Sequence, residues 1–498
     1  MNHQFLGPGL LAAVLAAGLS VGGNCSGLRD GASRVLAKAR SHAAGAVTRA
    51  GADVLHHEYA PRHDTAHDGG LFGAYHASSP HWPHIRTAVT DFRTTWLSKQ
   101  AQRASEVAWG ASHFDAVMSG PVELYKARNP TITFLPYAFQ WTVMRPGEAK
   151  NTKGDILSNY YPDMMRWYAA HPSYQLEDAF LHEAGQPKSA ASRLVVHIWD
   201  SNRWVINPGD AGARAYQVDR ATRATRGSDG IFFDEHASAD VRGRIGKMHV
   251  LEYPGFTGYE RDVCDMLRTI RRGLAPKIVL LNTAEYTKPF DREMIIAAGG
   301  ALLEKMNNPV HGDMEMRWKF IDDLLAHGAT IEMVSANSWA EADKLGNGFD
   351  AGNYGSRGAR LKMWELASYY MVVPEHPDHL WIELEKQFKV PFDQVWLKAQ
   401  EVNIGHPTGD RRVYREGTDP TGHKYRVWAR DFDRALVLVR PKIGWDKQSY
   451  GDDTAIRVEL PSESTWRPVR DDGTLGDPVS SVTLRSPESV ILVRGGAS

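Results

Sequence analysis

Cysteine is almost missing from this chain: Cys25 and Cys264 are the two among 498 residues. That excludes a disulfide framework and a thiolate metal cluster. If Cys25 leaves with an N-terminal leader, Cys264 remains alone and is expected to be a buried small hydrophobe. An excess of charge of either sign is missing too. The 58 Lys and Arg stand against 59 Asp and Glu, a formal net charge of −1. No basic field exists to draw a polyanion, so nucleic acid and anionic lipid are excluded as partners. After residue 21 no apolar run reaches the 18 or so residues of a membrane span, so no transmembrane segment is expected. There is no Gly-rich phosphate loop after a strand, no GxSxG elbow and no HExxH pair, which sets aside the chemistries those motifs serve. The seven histidines from His56 to His84 fit no zinc spacing, and those in "HIW" and "DEH" stand singly beside acids. Neither a metal nor a cofactor is expected.

What is present is ordered along the chain. Residues 5–21, "FLGPGLLAAVLAAGLSV", followed by Gly22 and Gly23, have the form of a signal-peptide core, so residues 1–23 are expected to be a signal peptide and the protein to be secreted. A lipid anchor on Cys25 in "VGGNC", and with it a cell-surface protein, is the alternative. Residues 24–82, rich in Ala, Gly, Arg and His, are expected to be a solvated linker. From residue 83 to 419 short apolar strands alternate with helical stretches: "FDAVMSG", "TITFLPYAF", "DGIFFDE", "KIVLLNTAEY", "GALLEKMNNP", "ATIEMVSANSW" and "HLWIEL" are the clearest strands. Their runs are continuously apolar, as in parallel sheets buried on both faces. The α/β pattern therefore predicts a (β/α)8 TIM barrel. From 420 to 498 short strands separated by Gly, Pro and Asp turns predict a C-terminal antiparallel β-sandwich.

In such a barrel the functional groups project from the C-terminal ends of the strands. Reading only those ends gives Tyr137, Gln140 and Trp141 after the third strand, and Trp199 and Asp200 after "VVHI". Asp234 and Glu235 follow "GIFF", Asn282 and Glu285 follow "IVLL", and Glu304 follows "ALL". Asn337 and Trp339 follow "IEMV". Two carboxylates, one protonated and one ionised, are the minimum for cleaving a glycosidic bond. Amides can hold sugar hydroxyls, and aromatic faces can stack on sugar rings. The candidate catalytic residues are Asp234, Glu304 and Glu235. Tyr137, Trp141, Trp199, Asp200, Asn282, Glu285, Asn337 and Trp339 are the candidate binders of an oligosaccharide or polysaccharide. Glu235 is expected to support rather than to perform the reaction, and pairing Glu235 or Glu285 with Asp234 is the runner-up scheme. The rival from another class is a carbohydrate-binding or scaffold protein on a degenerate barrel, which would need no two carboxylates within reach of each other.

The segments "INPGD", "DGIFFDE", "LLNTAEY", "ARLKMWELASYYMV" and "YRVWARDFDRALVLVRP" resemble glycoside-hydrolase-like family fifteen over residues 84–445. The resemblance implies a TIM barrel, extracellular hydrolysis of a polysaccharide or oligosaccharide, and a β-rich C-terminal domain. The chain is also loosely similar to retaining barrel glycosidases acting on α-linked sugars. Their nucleophile ends the fourth strand and their acid/base the sixth, positions that fall here on Asp234 and Glu304.

Overall fold

The computed structural model describes residues 85–97, 99–148, 156–198, 201–234, 245, 248–283, 288–304, 314–334, 356–375, 377–384, 391–441 and 454–495, all within one compact unit. The expected leader (1–23) and linker (24–82) lie outside the described residues. No helix among the described residues is long and apolar enough to cross a membrane.

The chain runs through β1 (Ala88–Thr90), β2 (Ala116–Met118), β3 (Thr133–Leu135) and β4 (Tyr137–Phe139). An excursion follows that contains β5 (Thr142–Met144), β6 (Val195–Ile198) and β7 (Ser201–Val205). Then come β8 (Gly230–Asp234), β9 (Ile278–Thr283), β10 (Gly300–Leu303), β11 (Thr330–Val334) and β12 (Leu380–Glu383). β1, β2 and β3 form one parallel sheet, and β4, β8, β9, β10, β11 and β12 form another in that order. β3 and β4 are one strand broken at Pro136, which has no N–H to give to a ladder. Its carbonyl still accepts from Phe232 N–H at 3.0 Å, so the break does not part β4 from β8. At the other edge Thr87 pairs in parallel with Ile382, and Ile382 N–H bonds to Arg86 O at 2.8 Å.

Helices fill the connections, as the alternation in the sequence predicts. The longer ones among the described residues are α1 (Gln100–His113), α2 (Val122–Arg128), α3 (Tyr161–Ala170) and α4 (Ala211–Ala224), then α5 (Tyr259–Leu274), α6 (Pro289–Ala298), α7 (Met314–Ala326) and α8 (Ser356–Val372). α4 starts where Asp210 caps it, its carboxylate accepting from Ala213 N–H at 2.6 Å. α5 presents Val263, Cys264, Met266, Leu267 and Ile270 to the core along one stripe. Cys264 is buried there as expected, its thiol pushed up to about 11 by that burial.

Side chains alternate along a strand, so one face of each looks toward the helices and the other away from them. One core cluster collects Ala88, Ala116, Met118, Leu135, Phe232, Leu280, Leu302, Val334 and Trp381. Each strand of the parallel set contributes to it, β4 through the half-buried Tyr137 packed against it. Ile231, Phe233, Val279 and Leu281, at the intervening positions, belong instead to the core shared with the helices.

Gly230 opens β8 because nothing larger fits. A Cβ there would lie 2.1 Å from the Ile278 carbonyl oxygen and 2.7 Å from Leu135. The obstacle is backbone and cannot swing aside. Gly230→Ala is therefore expected to lower stability by about 3 kcal/mol, at the upper end of overpacking costs, by prising β8 from β9. Chemical denaturation measures it, and a loss of less than about 1 kcal/mol, within the range of ordinary surface substitutions, would refute the close-approach argument.

The C-terminal strands are antiparallel. β13 (Arg412–Thr418), β14 (Lys424–Asp431), β15 (Ala435–Arg440), β16 (Ile456–Glu459), β17 (Trp466–Pro468), β18 (Ser481–Leu484) and β19 (Glu488–Arg494) make two sheets. The larger runs β13-β14-β15-β19-β17, and the smaller pairs β16 with β18. Val427, Ala429, Leu436 and Leu438 of the large sheet share a core with Ile456, Val458 and Leu484 of the small one. The other face of the large sheet, with Val437, Val439, Ile491 and Val493, packs into one cluster with Trp364, Tyr370 and Met371 of α8. Trp428 lies edge-on to Trp318 with centroids 6.0 Å apart and donates to Glu315 at 2.8 Å, an anchoring rather than a glycan-binding place. Trp445 lies outside the described residues.

Candidate active site

The polar groups of the site follow from the same alternation. Two residues on from the inward-facing Ala88, Leu135, Phe232, Leu280, Leu302 and Trp381, on the same strand face, come Thr90, Tyr137, Asp234, Asn282, Glu304 and Glu383. The inner face thus passes from an apolar layer to a polar one where the strands end. Tyr137, Asp234, Asn282 and Glu304 are half-buried while the preceding inward residues Leu135, Phe232, Leu280 and Leu302 are fully buried.

These groups bond to one another. The Tyr137 hydroxyl donates to Asp234 Oδ2. Asn282 Nδ2 donates to Asp234 Oδ1 at 2.8 Å and to Glu304 Oε2 at 3.1 Å. Because both acids accept a hydrogen bond from the same amide, its orientation is fixed with nitrogen toward them. Two oxygens bonded to one nitrogen at those distances are less than about 6 Å apart, which brings the carboxyls within the range in which paired acids work on one glycosidic bond. Burial pushes the Tyr137 phenol far above its ordinary value, and the negative charge of Asp234 pushes the same way. Arg203 pulls back and Glu304 adds a smaller push. Tyr137 is therefore a proton donor throughout the folding range of pH.

No family model matches the chain. No curated protein matches it either. Solved structures do. A maltogenic α-amylase from Thermotoga neapolitana is 8% identical, with a TM-score of 0.46 over 82% of this chain and 99% of that one. An α-amylase from Malbranchea cinnamomea is 10% identical, with a TM-score of 0.42 over 84% of this chain and 99% of that one. A GH36 α-galactosidase from Geobacillus stearothermophilus, solved with raffinose, is 9% identical, with a TM-score of 0.40 over 82% of this chain and 55% of that one. At such distances the chemistry has to be read from this chain's own side chains.

Of the expected site residues, Tyr137, Asp234, Asn282 and Glu304 come together. Trp199, Asp200, Glu235, Glu285, Asn337 and Trp339 lie outside the described residues. Trp141 is a correction: it is fully buried, edge-on to Tyr259 with centroids 5.7 Å apart, and has no ring face free for a sugar. Gln140 is buried as well, its Nε2 3.4 Å from Met266 Sδ. After Phe139 the chain has left the strand, and its carbonyls are held from α4 and from the start of α3. Arg220 donates to Phe139 O at 2.6 Å, Gln217 to Gln140 O at 3.1 Å, and Tyr160 to Gln140 O at 3.0 Å. The strand before Trp199 is also not one of the parallel set. β6 pairs antiparallel with β7, which pairs antiparallel with β5, in a separate sheet of the excursion. Its exposed His197 gives the in–out alternation of a strand with one wet face.

Two groups escaped the sequence reading. Glu383, buried at the end of β12, accepts from Thr90 N–H at 2.9 Å and from Thr90 Oγ1 at 2.8 Å, tying the last strand end to the first. The end of "HLWIEL" carried that signal, since the same rule that selects Asp234 and Glu304 selects Glu383. Arg203 had none: it reaches the Tyr137 neighbourhood from the antiparallel β7, its guanidinium 4.5 Å from the Phe139 ring centroid.

Proposed function

We propose that the protein is a glycoside hydrolase acting on an oligosaccharide or polysaccharide with retention of anomeric configuration. The observation that carries this reading is the Asn282 amide bonded to both Asp234 and Glu304. Asp234 accepts a hydrogen bond on each oxygen, which favours its ionised form and suits a nucleophile. Glu304 takes the longer of the two Asn282 bonds and is assigned the proton. Nearest oxygens less than about 6 Å apart favour retention, for which carboxyl separations are about 5–5.5 Å, over inversion at about 6.5–9.5 Å.

In the first step Asp234 bonds to the anomeric carbon as that carbon's bond to the leaving oxygen breaks, and the leaving oxygen takes the proton of Glu304. In the second, Glu304 removes a proton from water, whose oxygen bonds to the anomeric carbon and releases Asp234. Both acids return to their starting states. Around them we place the eight parallel strands as a closed (β/α)8 barrel, backed by a β-sandwich, in a protein exported by its first 23 residues.

A panel of α- and β-linked glycans, with product anomers followed by proton NMR, tests the reading. Turnover of at least one member with retained configuration is expected. Glycan binding without turnover on the whole panel would favour the carbohydrate-binding rival.

A further inference from the structure

Resting on the assignment of Asp234 as nucleophile, we infer that Tyr137 is a positioning residue for Asp234 rather than a sugar-binding group: its hydroxyl, fixed by packing, holds the carboxylate in its reactive orientation.

From the sequence, Tyr137 is a candidate sugar-binding residue at the rim. Its surroundings leave that role little room. The ring is packed against three others, edge-on to Phe92 with centroids 5.0 Å apart and tilted 71° and 62° to Phe139 and Phe232, each 5.6 Å away. Phe232 is also its register partner across the β4–β8 pairing. A ring wedged in this way has little rotational freedom, and its single hydrogen is committed to Asp234 Oδ2. Asn282 holds the other oxygen, Oδ1, from the opposite neighbouring strand. The carboxylate is thus gripped from β4 and from β9, which fixes its plane as well as its charge. A nucleophile so held begins near its attack geometry, and such preorganisation is a large part of catalytic rate. Arg203 of β7 and Glu304 of β10 also act on Tyr137 through their charges. Both remain when the hydroxyl is removed.

Tyr137→Phe keeps the ring packing and deletes the oxygen alone. A donor to a carboxylate favours its ionised form, so removing it makes Asp234 easier to protonate. The acid limb of kcat/KM against pH should rise by about 1–2 pH units, the equivalent of one charge-assisted hydrogen bond. kcat should fall while KM changes little. The carboxyl-carbon NMR titration of Asp234, identified by its loss in Asp234→Asn, should move up by the same interval. Installing 3,5-difluorotyrosine at position 137, a stronger donor, should move both readouts down and tests the role in a chain whose packing is intact.

The titration needs no substrate and so separates the two claims. A moved midpoint in a protein without glycosidase activity would uphold the grip on Asp234 and overturn the hydrolase reading. An active enzyme whose midpoint and acid limb stay in place in Tyr137→Phe would overturn the positioning role. So would a raised KM with kcat unchanged, the result expected of a sugar platform.

Discussion

Asp234→Asn and Glu304→Gln should each lower turnover of the natural glycan by at least about a thousandfold, the loss typical of removing an acid, base or nucleophile that the rest of the site cannot replace. Neither should unfold the protein. Both side chains are half-buried at strand ends, and each replacement keeps the shape and one acceptor oxygen. In Asp234→Asn the new amide meets two donors, Tyr137 and Asn282, but a hydroxyl can rotate to accept. The melting temperature should drop by only a few degrees, as for a loss of about 1 kcal/mol in a chain of this size. The two variants should then diverge. On a substrate with an activated leaving group, Glu304→Gln should retain its first step, because no proton need be supplied. Asp234→Asn should stay inactive there unless azide replaces the carboxylate. Near wild-type turnover by Asp234→Asn would move the nucleophile to another acid, Glu235 or Glu285 being next.

The second large effect is expected at the other end of the molecule. A chain ending at Thr418 should not fold. It would lose the face of the antiparallel sheet that packs on α8, exposing Trp364, Tyr370 and Met371, which are now fully buried. At about 1.5–3 kcal/mol for each large apolar side chain returned to water, three of them cost about as much as a typical domain's whole stability of about 5–15 kcal/mol. Polar ties go as well. Arg430 donates to Tyr370 O at 2.9 Å, Arg426 pairs with Glu315 at 2.7 Å, and Trp428 donates to the same carboxylate. The truncated chain should be insoluble or lack a cooperative thermal transition. A soluble, fully active product would show that the antiparallel domain is dispensable.

The legible parts of this fold are those where one physical constraint acts along a continuous stretch. "GIFFD", "IVLLNT" and "GALL" read as strands because burial on both faces demands uninterrupted apolar residues, and the polar residue that ends each run marks the rim. Asp234, Asn282 and Glu304 were found that way. Trp141 misled because a Trp shortly after a strand looks the same in sequence whether the chain lingers at the rim or dives into the core. Only the anchoring of Phe139 O and Gln140 O by Arg220, Gln217 and Tyr160 decides it, and those partners lie 20 to 81 positions away. β6 was equally ambiguous, since four residues of mixed pattern suit either kind of sheet. β13 carried no burial pattern at all, being exposed along almost its whole length, so the antiparallel sheet begins before the expected residue 420.

The excursion between β4 and β8 sets how the machinery can be assembled and altered. Asn282 is 48 positions from Asp234 and 22 from Glu304, whereas Tyr137 is 97 from Asp234. The acids and their bridging amide therefore come together within one run of consecutive strand–helix units, at low loop-closure entropy. The Tyr137 contact waits until residues 140–229 have folded back, and contacts of such long range form slowly. Closure entropy grows only logarithmically, so doubling that loop adds about 0.6 kcal/mol. A change in the length of the excursion would thus leave the separations of Asn282 from the two acids, 48 and 22 positions, as they are.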